Sequence, residues 1–383
     1  MPLSLLLFSS FLHAYVGIRL VPALGGWPVV QLLLGLVLLA SAVLTPLGLT
    51  ARRFKSQPLS DRMAWTGLLA MGLFSSLFVL TLLRDALLLA GLAVLAVAPA
   101  AFSLDAVARG SAVAVPLAGL FMSLVGFVNA RRTAAVVQVD VPITGLPAAL
   151  HGFSIAQISD IHVGPTIKHG YLQAIVRAVN MLQVDMVAVT GDLVDGTVAE
   201  LAHHVAPLGG LTSTHGTYFV TGNHEYYSGA HAWIDELQRL GIRVLMNEHV
   251  VLQHGQMHAQ QALVLAGVAD YSAGHFDASH RSDPHAAMAG APAHAPVRVL
   301  LAHQPRSAHE AEKAGFDLQL SGHTHGGQFW PWNFFVRFQQ PFTAGLHRLE
   351  KLWIYTSRGT GYWGPPKRFG APSEITHLRL IPV

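Results

Sequence analysis

No cysteine occurs among the 383 residues. Disulfides, thiolate zinc sites and cysteine nucleophiles are therefore excluded, and the redox compartment leaves no trace in the sequence. Charge is scarce as well. Asp, Glu, Lys and Arg make up 12% of the chain against 52% hydrophobic residues, and mean hydropathy is +0.43, whereas soluble domains carry roughly 25% charge. Intrinsic disorder and an ordinary soluble domain both drop out. Histidine is nearly missing from the first third: of 22, only His13 precedes residue 134. Charge divides at the same point. Residues 1–133 hold 9 Lys and Arg against 3 Asp and Glu, which leaves 15 against 18 for residues 134–383. A net charge of +3 that averages two unlike regions gives no reason to expect nucleic-acid binding. Two domains are expected, 1–133 and 134–383.

What the first third does have is long apolar runs. Five of them, 3–22, 27–49, 64–83, 86–102 and 111–129, approach the roughly 20 residues of a membrane-spanning helix. No charge falls between Trp27 and Thr50. The run with His13 and Arg19 is the weakest as a span. No basic segment precedes it and further runs follow, so a cleaved signal peptide is not expected. The alternative, one buried helical core, needs five helices with almost no polar face. The expectation is an N-terminal α-helical transmembrane bundle of five helices, multi-pass in a bacterial inner or plasma membrane. Arg52, Arg53, Lys55 and Arg62 put the loop after the second run in the cytoplasm. Three further crossings then place residues 134–383 on the outer face, although Arg131 and Arg132 pull the other way.

Past Arg132 the pattern changes. Val136, Val137, Val139 and Val141 begin a strand-like stretch that stops at Pro142. Short apolar runs then recur, each ending in polar residues. Phe153–Ile158 precedes Asp160-Ile161-His162, Met186–Thr190 precedes Gly191-Asp192, and Tyr218–Thr221 precedes Gly222-Asn223-His224-Glu225. Val297–Ala302 precedes His303, and Leu318–Ser321 precedes Gly322-His323-Thr324-His325. Such runs read as buried strands. Leu172, Ile175, Val176, Val179 and Leu182 follow a helical period between them, as do Trp233, Leu237 and Leu240. The alternation predicts an α/β domain, in which ligands gather beyond the carboxyl ends of strands. Residues 270–296, rich in Ala, Gly, His and Pro, read as a long surface loop with His275, His280, His285 and His294 solvated.

The strand-end residues are Asp160, His162, Asp192, Asn223, His303, His323 and His325. Two carboxylates, four imidazoles and an amide oxygen, without thiolates, suit Mn, Fe or Zn. The set is too large for one tetrahedral ion and about enough for two, which lie roughly 3.5–4 Å apart when a carboxylate bridges them. Gly191 lets the backbone at Asp192 come close. Single signals are weak: Gly-Asp alone reads as a turn, and any one His as a hydrogen-bonded core or surface residue. Gly322-His323-Thr324-His325 is stronger, because alternate residues of an extended segment point oppositely and can serve different ions.

Taken in order, Asp-x-His, Gly-Asp, Gly-Asn-His-Glu, His and Gly-His-x-His, from Asp160 to His325, resemble the calcineurin-like metallophosphoesterase superfamily. The resemblance is to membrane-anchored bacterial members of the YkuE and YaeI type and to transmembrane proteins with a metallophosphoesterase domain. It takes in about residues 140–383. It implies a four-layer α/β/β/α sandwich, a pair of packed sheets flanked by helices. It also implies two divalent ions, one held by Asp160, His162, Asp192 and His325, the other by Asp192, Asn223, His303 and His323. The reaction expected is hydrolysis of a phosphodiester or pyrophosphate, with phosphate charge offset and water activated at the metal pair. The resemblance makes His224 the acid near the leaving group, a role suited to an imidazole of pKa about 6.5.

Other readings stay open. His224-Glu225-Tyr226-Tyr227 starts like a zinc-protease H-E-x-x-H helix, but Ser228 occupies the fifth position and the motif fails. A non-catalytic metal-binding scaffold is one rival. A transporter with an accessory domain is another; its spans should show ionisable residues or broken helices, and His13 is the clear candidate. Two stretches bear on substrate. Trp330, Trp332, Phe334, Phe335 and Phe338 read either as a core strand or as a lipid-facing rim with Trp332 and Phe335 as contacts. Arg358-Gly359-Thr360-Gly361-Tyr362-Trp363-Gly364 reads as a loop over the site, with Arg358 on a phosphate, or as a structural turn. The partners expected are the lipid bilayer and a phosphoester, lipid-linked in the leading reading. Related membrane-associated members of the superfamily include UDP-2,3-diacylglucosamine pyrophosphatases, which makes such a nucleotide-lipid the leading substrate and a soluble phosphodiester the alternative. That nucleotide-lipid is made on the cytoplasmic side, in conflict with an outer-face domain.

Overall fold

The computed structural model describes residues 2–54, 56–256 and 260–383. The chain divides into two compact units, Met1–Asn129 with Gly364–Phe369, and Ala130–Trp363 with Gly370–Val383.

The first unit is built on α1 (Leu3–Leu20), α2 (Pro28–Leu49), α3 (Gln57–Val97) and α4 (Leu104–Arg131). Among the described residues these are the four helices long and apolar enough to cross a membrane; five were expected. Runs 64–83 and 86–102 are not separate spans, because α3 continues through Arg84-Asp85 for 41 residues, about 60 Å at the usual rise. Hydropathy dips at this pair, but neither residue breaks a helix, and both find partners inside the bundle. Asp85 accepts from the Tyr15 hydroxyl at 2.7 Å and from Arg19 Nε at 2.8 Å. Arg84 donates to Ser111 Oγ at 3.1 Å and to the Ala108 carbonyl at 3.0 Å. Two helices, not three, now follow Arg52 and Arg53, so the count that put residues 134–383 on the outer face no longer holds.

His13 is a satisfied interior histidine. Its Nδ1 lies 2.7 Å from the Ser9 carbonyl, its Nε2 2.9 Å from Ser41 Oγ, and its ring stacks on Phe74 at 3.6 Å. α2 and α3 meet where a Cβ on Gly48 would stand 2.6 Å from Gly67 Cα, the close approach that small residues allow between apolar helices. The hexapeptide Gly364–Phe369 also belongs to this unit, and past Gly364 no feature of the sequence had marked it. Lys367 is buried, and its Nζ donates to the Gly72 carbonyl at 2.8 Å and Ser76 Oγ at 2.5 Å.

The second unit contains β1 (Ala135–Ile143), β2 (Ser154–Ile158), β3 (Met186–Val189), β4 (Thr217–Phe219), β5 (Arg243–Val244), β6 (Glu248–His254), β7 (Gln261–Gly267), β8 (Val297–Leu301), β9 (Leu318–Ser321), β10 (Gly345–Leu349), β11 (Leu352–Thr356) and β12 (Glu374–Pro382). They form two six-stranded sheets, ordered β1-β12-β2-β3-β4-β5 and β10-β11-β9-β8-β7-β6. β1 runs one residue past Pro142, where it was expected to stop; it is an edge strand, and a missing N–H is tolerated there.

Between the sheets, Ile155, Met186 and Ala188 pack with Leu263, Leu265, Val299 and Leu318. On the far side of the first sheet, Ala156, Ile158, Val187 and Val189 pack against α5 (His169–Asn180), α6 (Val198–Val205) and, beyond the short α7 (Asn223–Ser228), α8 (Ala230–Arg239). Leu300 and Ala302 of the second sheet and its following loop cover α9 (Pro284–Met288) and α10 (Ala308–Lys313). The result is a four-layer α/β/β/α sandwich. Strands buried on both faces are why their sequences run apolar without alternation.

Residues 270–296 depart from the loop expected. They hold 3₁₀ turns at Ala273–His275 and Ala278–His280 as well as α9, with Ala273, Pro284 and Ala287 buried. The Asp277 and Asp283 side chains cap these turns, a local device that bulk composition hides. His275, His285 and His294 are exposed; His280 is half-buried.

Candidate metal centre

The loops leaving β2, β3, β4, β8 and β9 bring strand-end residues from both sheets together. Asp160 and His162 follow β2, Asp192 follows β3, Asn223 opens α7, His303 follows β8, and His323 and His325 follow β9. Five of the seven have left-handed backbone: φ is 52° at Asp160, 56° at His162, 51° at Asp192, 70° at His323 and 51° at His325. A non-glycine residue held there costs of order 1–3 kcal/mol and such residues cluster at functional sites. Only four other described non-glycine residues share that backbone, out of nine in all. Gly191 makes the approach possible. A Cβ there would lie 2.6 Å from the Gly222 nitrogen and 2.7 Å from His303 Nδ1.

The side chains fall into two groups. Asp160, His162 and His325 form one, and Asp192, His303 and His323 the other, with one ligand-type atom from each member within 4.8 Å of the rest. His162 Nε2 is 3.1 Å from His325 Nε2, and His323 Nδ1 is 3.2 Å from His303 Nε2. Asp192 Oδ2 stands 3.2 Å from His303 Nε2 and 3.9 Å from His162 Nε2, so it reaches both groups. Asn223 Oδ1 is buried without a hydrogen-bond partner. An orphaned amide oxygen beside imidazole nitrogens that face one another is an arrangement a divalent cation would satisfy, and the O and N donors fit a borderline or hard ion.

Charge in the cluster is strongly coupled. Burial acts against ionisation of Asp192, but the His303 imidazole, with His224 and His162, holds it well below the usual carboxylate range. Burial likewise opposes protonation of His303, and Asp192 and Asp160 override it. Burial and the charge on His303 push His323 down to about 3, and burial pushes Asp160 up. Close carboxylates and imidazoles thus set one another's charge. At His224, burial is outweighed by the hydrogen bond to Asp195 and by the charges of Asp192, Asp195 and Glu225, which bring its pKa to about 9.

Two residues escaped the sequence reading. Asp195 Oδ1 accepts from Nδ1 of both His162, at 3.1 Å, and His224, at 2.6 Å. Each ring thereby presents Nε2 to the cluster, the usual way an outer partner fixes a tautomer. His303 is held similarly, by its Nδ1 on the Thr190 carbonyl at 2.7 Å. Glu225, fully buried, accepts backbone N–H groups of Gly222 at 2.7 Å, Leu193 at 2.8 Å, Asp192 at 3.0 Å and Val194 at 3.3 Å. It pins the Asp192 turn to the Asn223 loop. The signals were present as Gly-Asp-x-x-Asp and the Glu of Gly-Asn-His-Glu, but neither residue is a ligand.

The substrate candidates separate. Residues 358–363 do pass beside the cluster: the Thr360 and Gly361 nitrogens donate to the Ser159 and Asp160 carbonyls at 2.7 and 3.1 Å. Arg358 pairs with Glu374 at 2.9 Å and is 36% exposed. Trp332 and Phe335 are not core; they are 43% and 54% exposed, in consecutive 3₁₀ turns, and pack on each other. The rings on His224 are others, Tyr227 at 5.3 Å and Trp363 at 5.8 Å, both more than half exposed.

The profile of the calcineurin-like phosphoesterase family matches residues 153–327. A transmembrane protein with metallophosphoesterase domain from Bos taurus is 42% identical over 267 residues, covering 68% of this chain and 60% of the bovine one. An uncharacterised metallophosphoesterase from Campylobacter jejuni is 35% identical over 263 residues, covering 68% of this chain and 67% of that one. Another, from Aquifex aeolicus, is 33% identical over 228 residues and matched over 84% of its length. The chain thus spans about 60% of the bovine relative's length.

Proposed function

The chain belongs to the calcineurin-like metallophosphoesterase family, and on that premise we propose that it is a membrane-spanning hydrolase of phosphodiester or pyrophosphate bonds working with two divalent ions. Asp160, His162, Asp192 and His325 would hold the first ion, and Asp192, Asn223, His303 and His323 the second. The observation that carries this reading is Asp192, whose Oδ2 reaches imidazoles of both groups, at 3.2 and 3.9 Å. When bound, the ions supply Lewis-acid stabilisation of phosphoryl charge and acidify water. Mn²⁺, Fe and Zn²⁺ all suit the donors.

The protein's own groups do the rest. His224 keeps its Nδ1 proton on Asp195 and has Nε2 4.0 Å from Asp192 Oδ2. The Asp195 hydrogen bond and the surrounding carboxylates raise its pKa, which favours the protonated ring, and it gives the Nε2 proton to the departing oxygen. Asp195 holds that ring in place and Glu225 holds the backbone of the Asp192 turn. Arg358 serves the phosphate, and Tyr227 and Trp363 flank the leaving group.

Four crossings put the loop at residues 50–56 and the start of the domain on one side of the membrane. Arg52, Arg53, Lys55, Arg62, Arg131 and Arg132 then share that side, against Arg19, Arg84 and Arg109 on the other. Basic loops face the cytoplasm, so the domain is cytoplasmic, in an inner or plasma membrane. A lipid-linked pyrophosphate of the UDP-2,3-diacylglucosamine kind, made on that side, fits the placement. The exposed Trp332 and Phe335 would meet its acyl chains.

The test is turnover of bis-p-nitrophenyl phosphate by purified protein with Mn²⁺, abolished by chelator. Inertness of metal-loaded protein on a broad phosphoester panel contradicts the enzyme reading. For substrate, lipid-linked and matched soluble pyrophosphates are compared in detergent micelles. No preference for the acylated compound, with Trp332→Ala and Phe335→Ala unchanged, rejects the lipid assignment and favours a soluble diester.

A further inference from the structure

We propose that His231, Asp277 and His280 form an additional divalent-metal site on the surface of the phosphoesterase domain, sharing no ligand with the catalytic cluster and preferring Zn²⁺ over Mn²⁺. One ligand-type atom from each of the three lies within 4.8 Å of the other two. They come from different elements: His231 from the first turn of α8, Asp277 and His280 from the cap and last residue of the 3₁₀ turn Ala278–His280.

The local bonding presents them together. Asp277 divides its oxygens. Oδ1 accepts from the Ser279 nitrogen at 2.9 Å and Ser279 Oγ at 2.6 Å, which fixes the turn. Oδ2 stands 2.9 Å from His231 Nε2. The His280 ring centre is 4.7 Å from that of His231, and its Nδ1 meets the Tyr226 hydroxyl at 3.0 Å. With Nδ1–H donated to that hydroxyl, Nε2 of His280 keeps its lone pair, as in histidines whose outer partner sets the tautomer for a metal. A lone surface His–Asp pair requires neither a second imidazole nor a tyrosine behind it.

Two imidazoles and one carboxylate leave further positions to water, the pattern of an open zinc site. The 72% exposed His231 side chain leaves room for that water. Nitrogen-rich sites take Zn²⁺ ahead of Mn²⁺. An ion here would cross-link the 277–280 turn to α8. Phe276, next to that turn, packs on Tyr226 at 5.6 Å and Tyr227 at 5.5 Å, and Tyr227 packs on His224. Occupancy would therefore order the aromatic rim beside the proposed acid, rather than supply chemistry.

The test is zinc content per chain, by mass spectrometry of the metal, for full-length protein and for His231→Gln and His280→Ala after identical loading and desalting. Hydrogen exchange of residues 273–281 is followed with and without Zn²⁺. Both variants are expected to hold one equivalent fewer than the parent, to retain hydrolysis of bis-p-nitrophenyl phosphate, and to lose the zinc-dependent protection of that segment. Equal zinc content in parent and variants, with no change in exchange, overturns the site. The result rests on the difference between proteins, so it stands apart from how many ions the catalytic cluster holds. Retained diester hydrolysis, or retained catalytic metal in an inactive protein, shows that both variants fold.

Discussion

Asp85 in the helical unit is a half-buried carboxylate and Asp192 in the phosphoesterase domain a buried one, and their surroundings differ in kind. Each oxygen of Asp85 has donors: Tyr15 and Arg19 on one, Arg19 and Arg84 on the other. Charge is met by charge, and the cluster is closed. Asp192 accepts the His224 backbone N–H at 2.9 Å on Oδ1, while its Oδ2 faces imidazoles beside an amide oxygen that nothing satisfies, on backbone that ordinary residues avoid. A self-satisfied ionic cluster ties helices together; an unsatisfied and strained one is what a ligand site looks like before its ligand is counted. The same contrast separates His13, with its ring nitrogens on a carbonyl and a hydroxyl inside the bundle, from His162, whose Nε2 meets another imidazole at 3.1 Å.

Substitutions can break this contrast, beginning with the largest effect. In a His280→Ala background, Asp192→Ala should lose both bound metal and turnover to background, because it removes the group common to both sets; metal content and rate are measured on the same sample. His224→Ala should keep its metal and lose about 10²–10⁴-fold in rate on esters with poor leaving groups. Activated esters, which need no proton, should suffer least, and equal losses on both would reject the acid role. In the parent, Asp195 raises the His224 pKa, and the protonated imidazole is lost as pH climbs through that raised value, so turnover of poor leaving groups should fall on the alkaline side. Asp195→Asn should cost roughly 10–100-fold. Without that carboxylate the His224 pKa drops, and the alkaline fall should move to lower pH; an unmoved profile would mean that Asp195 does not act through His224. Smallest is Asp85→Ala, expected to cost about 1 kcal/mol of helix association and lower the melting temperature in micelles. Its kcat on a soluble diester should be unchanged; a loss of kcat would show that the two units do not divide the work as described.

The strand-end cluster was legible as a grouping because its side chains sit at the ends of apolar runs, and a strand end is visible as a sharp change in composition. What acts through other groups was not. Asp195 orients rings and Glu225 collects backbone N–H groups, and neither task has a spacing of its own. The membrane count failed for a related reason. Arg84-Asp85 interrupts hydropathy, and only the tertiary contacts with Tyr15, Arg19 and Ser111 show why the helix carries on. Residues 270–296 misled through composition: two aspartate caps build turns that a count of Ala, Gly and Pro cannot reveal. Lys367, buried among serines of the helical unit, lies more than 230 residues from that unit in sequence, and periodicity has no reach over that distance.

The central claim is that Asp192 joins two metal positions into one site. Electron paramagnetic resonance of Mn²⁺-loaded protein tests it most directly, in a His280→Ala background so that the surface site contributes nothing. Two ions per chain with the spectrum of an exchange-coupled pair, replaced by uncoupled Mn²⁺ or none in Asp192→Asn, is the predicted result. One ion per chain, or two that are uncoupled with Asp192 intact, would contradict it.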